Sequence, residues 1–475
     1  MSAIVRQEVE IAVKPESIAG EVGLLGPDGR LLTQQGNAKR FLDAYRQDIL
    51  WVPGTTLNSA GEWYVWDGTR WTANEQKVRV LAQDMTDNLG FTLVKPAIEG
   101  RWNKKDVDSL IEFWRSSQKR SEQTALLAMA SAHITVDRGK FDADPLMLGL
   151  TNGVLDLKTG TYGPAERGQL ITKQAGAAFD PSAKCPLWEK FILESCADPE
   201  LAAYVQECVG VCLTGLTNEH LFFLLMGPAG TGKSTFGETV LAMLGDYAVG
   251  VSPEILSAVK DAKHGNARPD LAKLQGVRLA FANETKAGQR LDEGMLKSMT
   301  GGDTVTARQL YQAEFDFRPT HKIWFRTNFP PVLDGGDSGV RRRVRVVPFV
   351  TAPAIPDPSL PAALKAELCG ILNWALAGWQ RYQRQGFIQS AVVQEASVKY
   401  MDGMDTILQF LLFWEENLGC SVMGASDMYR TYKSWAEENG FMPMSNPRFK
   451  SALEGRGWRY VDGRTGRSWK PPKVV

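Results

Sequence analysis

Residues Gly227-Pro228-Ala229-Gly230-Thr231-Gly232-Lys233-Ser234-Thr235 set one glycine ahead of four residues and a Gly-Lys-Ser triplet. That spacing suits a loop that wraps a polyphosphate. Glycines let successive backbone N–H groups converge on phosphate oxygens, and a helix beginning at the end of the loop adds the positive end of its dipole. Lys233 would then reach the terminal phosphates, and the Ser234 hydroxyl would ligate Mg²⁺. Position supports this chemistry, because an apolar strand-like run at 221–226 precedes the loop and a helical pattern at 235–244 follows it. The ligand implied is ATP with Mg²⁺.

Two more strand ends carry groups that such chemistry uses. The apolar run 277–282 is followed by Asn283-Glu284. Glu284 would orient the attacking water and help hold the metal's water shell, with Asn283 standing where many such enzymes have Asp. The run 323–327 ends in Asn328, which can hydrogen-bond the γ-phosphate or the lytic water. Then come Arg341-Arg342-Arg343, just ahead of a strand-like run at 344–349. Arg342 or Arg343 would act as a finger on a neighbouring subunit's site, since a guanidinium stabilises charge developing on the γ-phosphate. A finger acting in trans requires a head-to-tail ring.

The elements that must position these groups belong to a chain of 475 residues, enough for about three domains at roughly 150 residues each. Its 44% apolar and 23% charged residues are ordinary globular composition. With 54 basic residues against 54 acidic ones, a polybasic coat protein is excluded, and any affinity for nucleic acid must come from local patches. Cys208 and Cys212 form the one close cysteine pair and are read as small buried residues on a helix. Few cysteines suit a reducing compartment. The N-terminus lacks a signal-peptide pattern, and the longest apolar runs fall short of the roughly 18 residues a spanning helix needs. The expectation is a soluble protein of the cytoplasm with no membrane partner.

Periodicity predicts helices at 37–47, 73–88 and 105–133, with a hairpin at 63–71 turning on Asp67-Gly68. The tryptophans of that hairpin are read as core. Strand-like runs at 221–226, 277–282, 322–327 and 344–349 alternate with helical stretches, which predicts a largely parallel sheet. Helices are predicted at 187–195, 199–215, 362–385, 403–416, 426–438 and 446–455, with a closing hairpin at 458–469.

With these motifs in order, the chain resembles a superfamily 3 helicase of the AAA+ class, and more closely the helicase half of satellite-phage and poxvirus-type primase–helicases. The run Leu296-Lys297-Ser298-Met299-Thr300-Gly301-Gly302-Asp303, then Asn328-Phe329-Pro330-Pro331 and Arg342-Arg343-Val344-Arg345, carry the likeness. So do the segments 36–71 and 142–160, which resemble the domain preceding the helicase in that family. The resemblance implies a multidomain α/β fold. It comprises an N-terminal arm (1–34), an α+β domain (35–180), a helical segment able to serve as an oligomerisation collar (181–220) and an AAA+ phosphate-loop core (221–350). A Pro-rich linker with a helix (351–400) and a winged-helix domain (401–475) complete it.

The same resemblance implies a homo-oligomeric ring, a hexamer, that hydrolyses ATP and moves 3′ to 5′ on single-stranded DNA during replication of a phage, plasmid or satellite element. Forked DNA would be its substrate, and Lys297 would also reach across the subunit interface. The family's pore hairpin maps to 304–318, so Arg308, Tyr311 and Gln312 are the candidate DNA contacts; an aromatic can stack a base and a Gln can bond a phosphate. Residues 441–475 hold eight basic and two acidic residues. Arg464 and Arg467 of the closing hairpin are the candidate duplex contacts. The few residues ahead of position 35 suggest a helicase without its own primase, working with a separate primase or host replication proteins. Two other readings stand beside this one: a packaging- or loader-type assembly ATPase that does not unwind, and an origin-binding oligomer in which ATP only stabilises assembly.

Overall fold

The computed structural model describes residues 25–54, 61–256, 268–283, 289–308, 314–333, 335–353, 357–418, 423–463 and 466–471. The chain divides into two compact units, Met1–Phe141 with Glu166–Thr172, and Asp142–Ala165 with Lys173–Val475. Among the described residues no helix is long and apolar enough to cross a membrane.

The first unit begins with α1 (Gln34–Tyr45) and an antiparallel sheet of β1 (Ile49–Val52), β2 (Glu62–Trp66) and β3 (Trp71–Ala73). The expected hairpin is present, with Trp66 opposite Trp71. Its turn is held by the Asp67 carboxylate, which accepts from the Thr69 and Arg70 N–H groups, both at 2.8 Å. Trp63 and Trp71 are buried, and Phe41, Val78 and Leu126 from the covering helices pack in the same core as Trp63. Phe41 belongs to α1, Val78 to α2 (Glu75–Asp87) and Leu126 to α5 (Arg120–Ser131), while α3 (Lys95–Glu99) and α4 (Lys104–Ser117) lie between α2 and α5 along the chain. The single helix expected over 105–133 is therefore two. Ser117 turns inward at the break and accepts from the Asn37 side chain at 2.9 Å, a long-range contact that helical periodicity does not encode.

The second unit opens with a small antiparallel sheet, β4 (Met147–Leu150), β5 (Gly153–Asp156) and β6 (Thr161–Gly163), followed by α6 (Pro186–Cys196) and α7 (Pro199–Cys212). Cys208 and Cys212 are buried on α7, as small apolar residues would be. Then come β7 (Phe222–Met226), α8 (Lys233–Leu244), β8 (Ala248–Val251), α9 (Pro269–Ala272), β9 (Leu279–Ala282) and α10 (Glu293–Thr300). They are followed by β10 (Val305–Arg308), β11 (Glu314–Phe317), β12 (Lys322–Thr327), α11 (Ser338–Arg341) and β13 (Val344–Pro348).

Strands β13, β7, β12, β9 and β8 lie side by side in that order, all parallel. Both faces of this sheet are covered, which is why its strands are almost continuously apolar instead of alternating. Phe223, Leu225, Phe281, Trp324 and Val347 face one core with α7 and α8. Phe222, Leu224, Ala280, Ile323, Phe325 and Val346 face the other.

Beyond the sheet lie α12 (Leu360–Ala366), α13 (Leu368–Gln385) and α14 (Ala391–Met404). The expected helix 362–385 breaks at Glu367, whose carboxylate accepts from the Leu187 and Trp188 N–H groups at 3.2 and 3.0 Å and so caps the first turn of α6. The chain ends in α15 (Thr406–Leu418), β14 (Met423–Gly424), α16 (Ala425–Glu438), α17 (Asn446–Glu454), β15 (Arg459–Gly463) and β16 (Gly466–Lys470). Its sheet order is β14-β16-β15 around an aromatic core of Phe410, Trp414, Tyr432, Phe449 and Trp469.

Candidate functional site

The loop 227–232 joins β7 to α8 at the carboxyl end of the parallel sheet. Glycine is required where the backbone passes closest to its neighbours. Gly227 has φ +156°, and a Cβ there would lie 1.8 Å from the Phe349 carbonyl oxygen. Gly232 has φ +85°, and a Cβ there would meet the Phe191 ring at 2.6 Å. Gly232 is also the N-cap of α8 and supplies no side-chain cap, and no acid sits in the first turn. The start of a 12-residue helix thus meets neither a side-chain cap nor an acid, at the end where the helix dipole favours an anion.

These groups line a cavity of about 800 Å³. Ala229 to Thr235 form its floor, Arg326, Thr327 and Asn328 close one side, and α6 and α12 close another with Leu187, Phe191 and Leu360. Lys233 is buried, and its Nζ donates to the Gly227 and Pro228 carbonyls at 2.7 and 2.6 Å. Thr231 Oγ1 donates to the Pro228 carbonyl at 3.0 Å and keeps the loop closed on itself. Ser234 is exposed towards the cavity. An uncapped helix start, a buried ammonium and an exposed hydroxyl are groups of the kind that a magnesium–triphosphate needs.

Parallel pairing sets Thr327 opposite Met226, so Asn328 lies one residue beyond the strand pair and beside the start of the loop. The Thr327 hydroxyl bonds both the N–H and the carbonyl of Phe329, which fixes the turn around Asn328. Arg326 adds a second polar wall residue that the sequence reading passed over; a lone guanidinium in an apolar strand was its available signal. The apolar wall from α6 and α12 left no local signal, because α6 comes before the loop and α12 well after it.

Glu284, Tyr311, Gln312 and Arg464 lie outside the described residues. The strands β10 and β11 pair antiparallel from Val305 opposite Phe317 to Arg308 opposite Glu314, within the segment expected to form a hairpin. Arg467 is exposed and pairs with Asp462 at 3.1 Å.

The three consecutive arginines have distinct surroundings. Arg343 is buried, donating from Nε to Thr300 Oγ1 at 3.1 Å and from Nη1 to the Gly339 carbonyl at 2.8 Å. Burial and the adjacent Arg342 charge push its guanidinium below the usual arginine range. Arg342 is exposed and ends the short helix α11. Lys297 pairs with Asp337 at 2.5 Å, and Asp337 caps α11 through the Val340 N–H at 3.0 Å. Burial alone would raise the Asp337 carboxyl, but the Lys297 ammonium and the Val340 N–H outweigh it and hold it below the carboxylate range.

A covered parallel sheet with a glycine-rich loop between its second strand in space and the following helix defines the class: an α/β protein built on a parallel five-stranded sheet. Comparison with known proteins takes this further. Residues 38–196 match the family described as D5 N terminal like, and residues 225–343 match a family of unknown function, DUF5906. The "Putative helicase L207/L206" of Acanthamoeba polyphaga mimivirus is 27% identical over 326 residues, covering 63% of this chain and 34% of the relative. The "Putative helicase 022R" of Frog virus 3 is 31% identical over 234 residues, covering 44% and 24%. A "Putative primase C962R" of African swine fever virus is 27% identical over 216 residues, covering 43% and 22%. The chain thus spans about a third or less of these relatives' length. In fold it is similar to the apo structure of the NrS-1 C-terminal region, with a TM-score of 0.52 at 12% identity over 93% of this chain and 99% of that one. The two matched segments and these relatives support the likeness to primase–helicases of the satellite-phage and poxvirus type.

Proposed function

We propose that the chain is the motor of a DNA helicase of the AAA+ class, a ring of identical subunits that hydrolyses ATP while moving 3′ to 5′ on single-stranded DNA. The observation that carries this reading is the cavity itself, where the open start of α8, Lys233 and Asn328 converge across adjacent strands. The sheet supports the class. Numbered along the chain its strands run 5-1-4-3-2, so the Asn328 strand sits between the loop strand and β9, which leads to Asn283-Glu284.

In this reading the loop N–H groups and Lys233 hold the triphosphate of ATP, and Lys233 exchanges the Gly227 and Pro228 carbonyls for phosphate oxygens. Ser234 would hold the magnesium ion, with Glu284 near its water shell; the ion supplies charge neutralisation between the phosphates. Glu284 orients the attacking water, and Asn328 senses the γ-phosphate. Arg342 is the finger offered to the next subunit, because Arg343 is already committed to Thr300 and Gly339 inside its own subunit. Lys297 braces Arg342's turn through Asp337. Arg308 and the hairpin it belongs to, with Tyr311 and Gln312, contact the DNA strand. The order helix, strand, helix, helix, strand, strand from α15 to β16 supports a winged helix, with Arg464 and Arg467 on its wing.

The test is ATP hydrolysis measured against protein concentration, with and without single-stranded DNA, followed by a forked-duplex unwinding assay. Specific activity should rise with concentration and with DNA. Arg342→Ala should lower kcat by about 10³-fold, the scale of a lost arginine finger, while the protein stays folded. Activity indifferent to concentration, to DNA and to Arg342→Ala would sink the ring motor. Hydrolysis without strand separation would point to an assembly ATPase instead.

A further inference from the structure

The turn that presents Arg342 is gripped from two sides. On the side of α10 it is held by the Lys297–Asp337 pair and the Arg343–Thr300 bond already described. On the opposite side it rests on the carboxyl end of α14. Tyr400 donates to the Pro331 carbonyl at 2.6 Å. The backbone at Gly335 touches α14 so closely that a Cβ would lie 2.2 Å from the Met401 carbonyl oxygen and 2.4 Å from the Asp405 nitrogen. Arg341, the residue next to Arg342, donates from Nε to the Gly335 carbonyl at 2.7 Å. Its Nη2 lies 2.5 Å from Asp402 Oδ1 and 3.9 Å from Asp405 Oδ2.

The second of these carboxylates faces two arginines. Asp405 is buried, and both its oxygens accept from Arg456 Nη2 at 2.7 and 2.6 Å. Arg456 lies just past α17, and its Nη1 is tied to the Ala452 carbonyl of that helix at 2.9 Å. Asp405 also caps α15 through the Leu408 N–H at 2.9 Å. A run of charge thus leads from α17 through Arg456 and Asp405 to Arg341, which Asp402 also holds, and so to the peptide bond before Arg342. Arg342 itself makes no side-chain hydrogen bond or ion pair among the described residues. Its aim is therefore set by its backbone, and its backbone is set by these braces.

We infer that Asp402 and Asp405 are positioning residues for Arg342, holding the finger's turn from behind through Arg341, and that Arg456 couples the C-terminal helices to that hold. This rests on Arg342 acting on the neighbouring subunit. A finger 1 Å out of place loses catalysis steeply while leaving ATP binding to the other subunit's loop untouched. The effect should therefore appear in kcat and not in KM, and it should belong to the subunit that donates the finger.

Subunit mixing reads this directly. Asp402→Asn is nearly isosteric at a half-exposed position and should stay folded by thermal melting. As a homo-oligomer it should lose about tenfold or more in kcat with KM for ATP unchanged. Mixed with Lys233→Ala subunits, which cannot use ATP but carry a well-held Arg342, it should regain activity, because each Asp402→Asn site then receives an intact finger. Arg456→Gln should behave in the same way with a smaller loss. The control is Arg342→Ala mixed with Lys233→Ala, which must also regain activity. If that control regains activity and the Asp402→Asn mixture does not, or if Asp402→Asn keeps full kcat, the positioning role is wrong. If the control itself fails, the trans-acting finger is wrong, and this inference goes with it.

Discussion

Two lysines are buried at opposite ends of the same parallel sheet, and both spend their ammonium groups on backbone carbonyls. At the carboxyl end Lys233 bonds the Gly227 and Pro228 carbonyls beside a cavity of about 800 Å³. At the amino end Lys322, the first residue of β12, bonds the Thr214 and Leu216 carbonyls beside a space of about 30 Å³, room for little more than a water. The neighbours of Lys322 are also structural. Arg278 lies 4.2 Å over the Tyr247 ring and donates to the Leu213 and Met147 carbonyls. His321 has both ring nitrogens buried without a hydrogen-bond partner among the described residues. A buried cation is therefore no mark of a site by itself. What separates the two is whether its partners can be exchanged for a ligand, and only the loop end has room for one.

That contrast breaks most visibly by removing each lysine. Lys233→Ala should lower ATP turnover by about 10³-fold, since a charge aimed at the transferring phosphate is lost, with a smaller loss of stability than at Lys322, because the Gly227 and Pro228 carbonyls can turn to water in the cavity. Nucleotide titration with calorimetric melting checks both halves. Lys322→Met should do the reverse, leaving nucleotide affinity intact while costing about 1–3 kcal/mol for carbonyls left without a donor, read by denaturant unfolding. Equal losses of affinity in the two variants would erase the distinction between the ends.

Titration sharpens it further. Burial and the Lys322 charge push the His321 imidazole down to about 3, so between pH 3 and its ordinary 6.5 the unfolded chain binds the extra proton. Stability present above pH 6.5 should be lost as pH falls through that window, and His321→Leu should flatten this acid limb. Burial likewise pushes Lys322 down to about 7 from 10.5. Between those values only the unfolded chain is protonated, so stability should rise as pH climbs from 7 towards 10.5, and Lys322→Met should remove that slope. Unfolding free energies measured across both windows test the signs. The smallest effect belongs to Asn328→Ala, which should lower kcat about tenfold or more with stability unchanged, as loss of one neutral hydrogen bond to the reacting phosphate would.

Within the cavity, legibility followed sequence distance. Loop, Lys233 and Ser234 are contiguous, so their spacing alone carried their placement at the start of α8. The hairpin around Asp67 was equally readable, because an Asp-Gly turn closes on its own backbone. The walls from Leu187, Phe191 and Leu360 were not readable, since these apolar residues look like any other helix core until α6 and α12 are folded beside the loop. The breaks at Ser117 and Glu367 were hidden for the same reason: each exists to satisfy a group far away in the chain, Asn37 in one case and the first turn of α6 in the other.

The sequence by itself determined the glycine-rich loop at the start of a helix and the strands that end beside it, because these depend on residue type at short spacing and on burial that reads as continuous apolar runs. Only the tertiary structure decided between three adjacent arginines. Arg341 turns to Asp402, Arg343 is buried against Thr300, and Arg342 is left facing outward. Three identical side chains in a row carry no local signal of their roles; those roles come from partners 43 to 61 residues away in the chain, which only folding brings within reach.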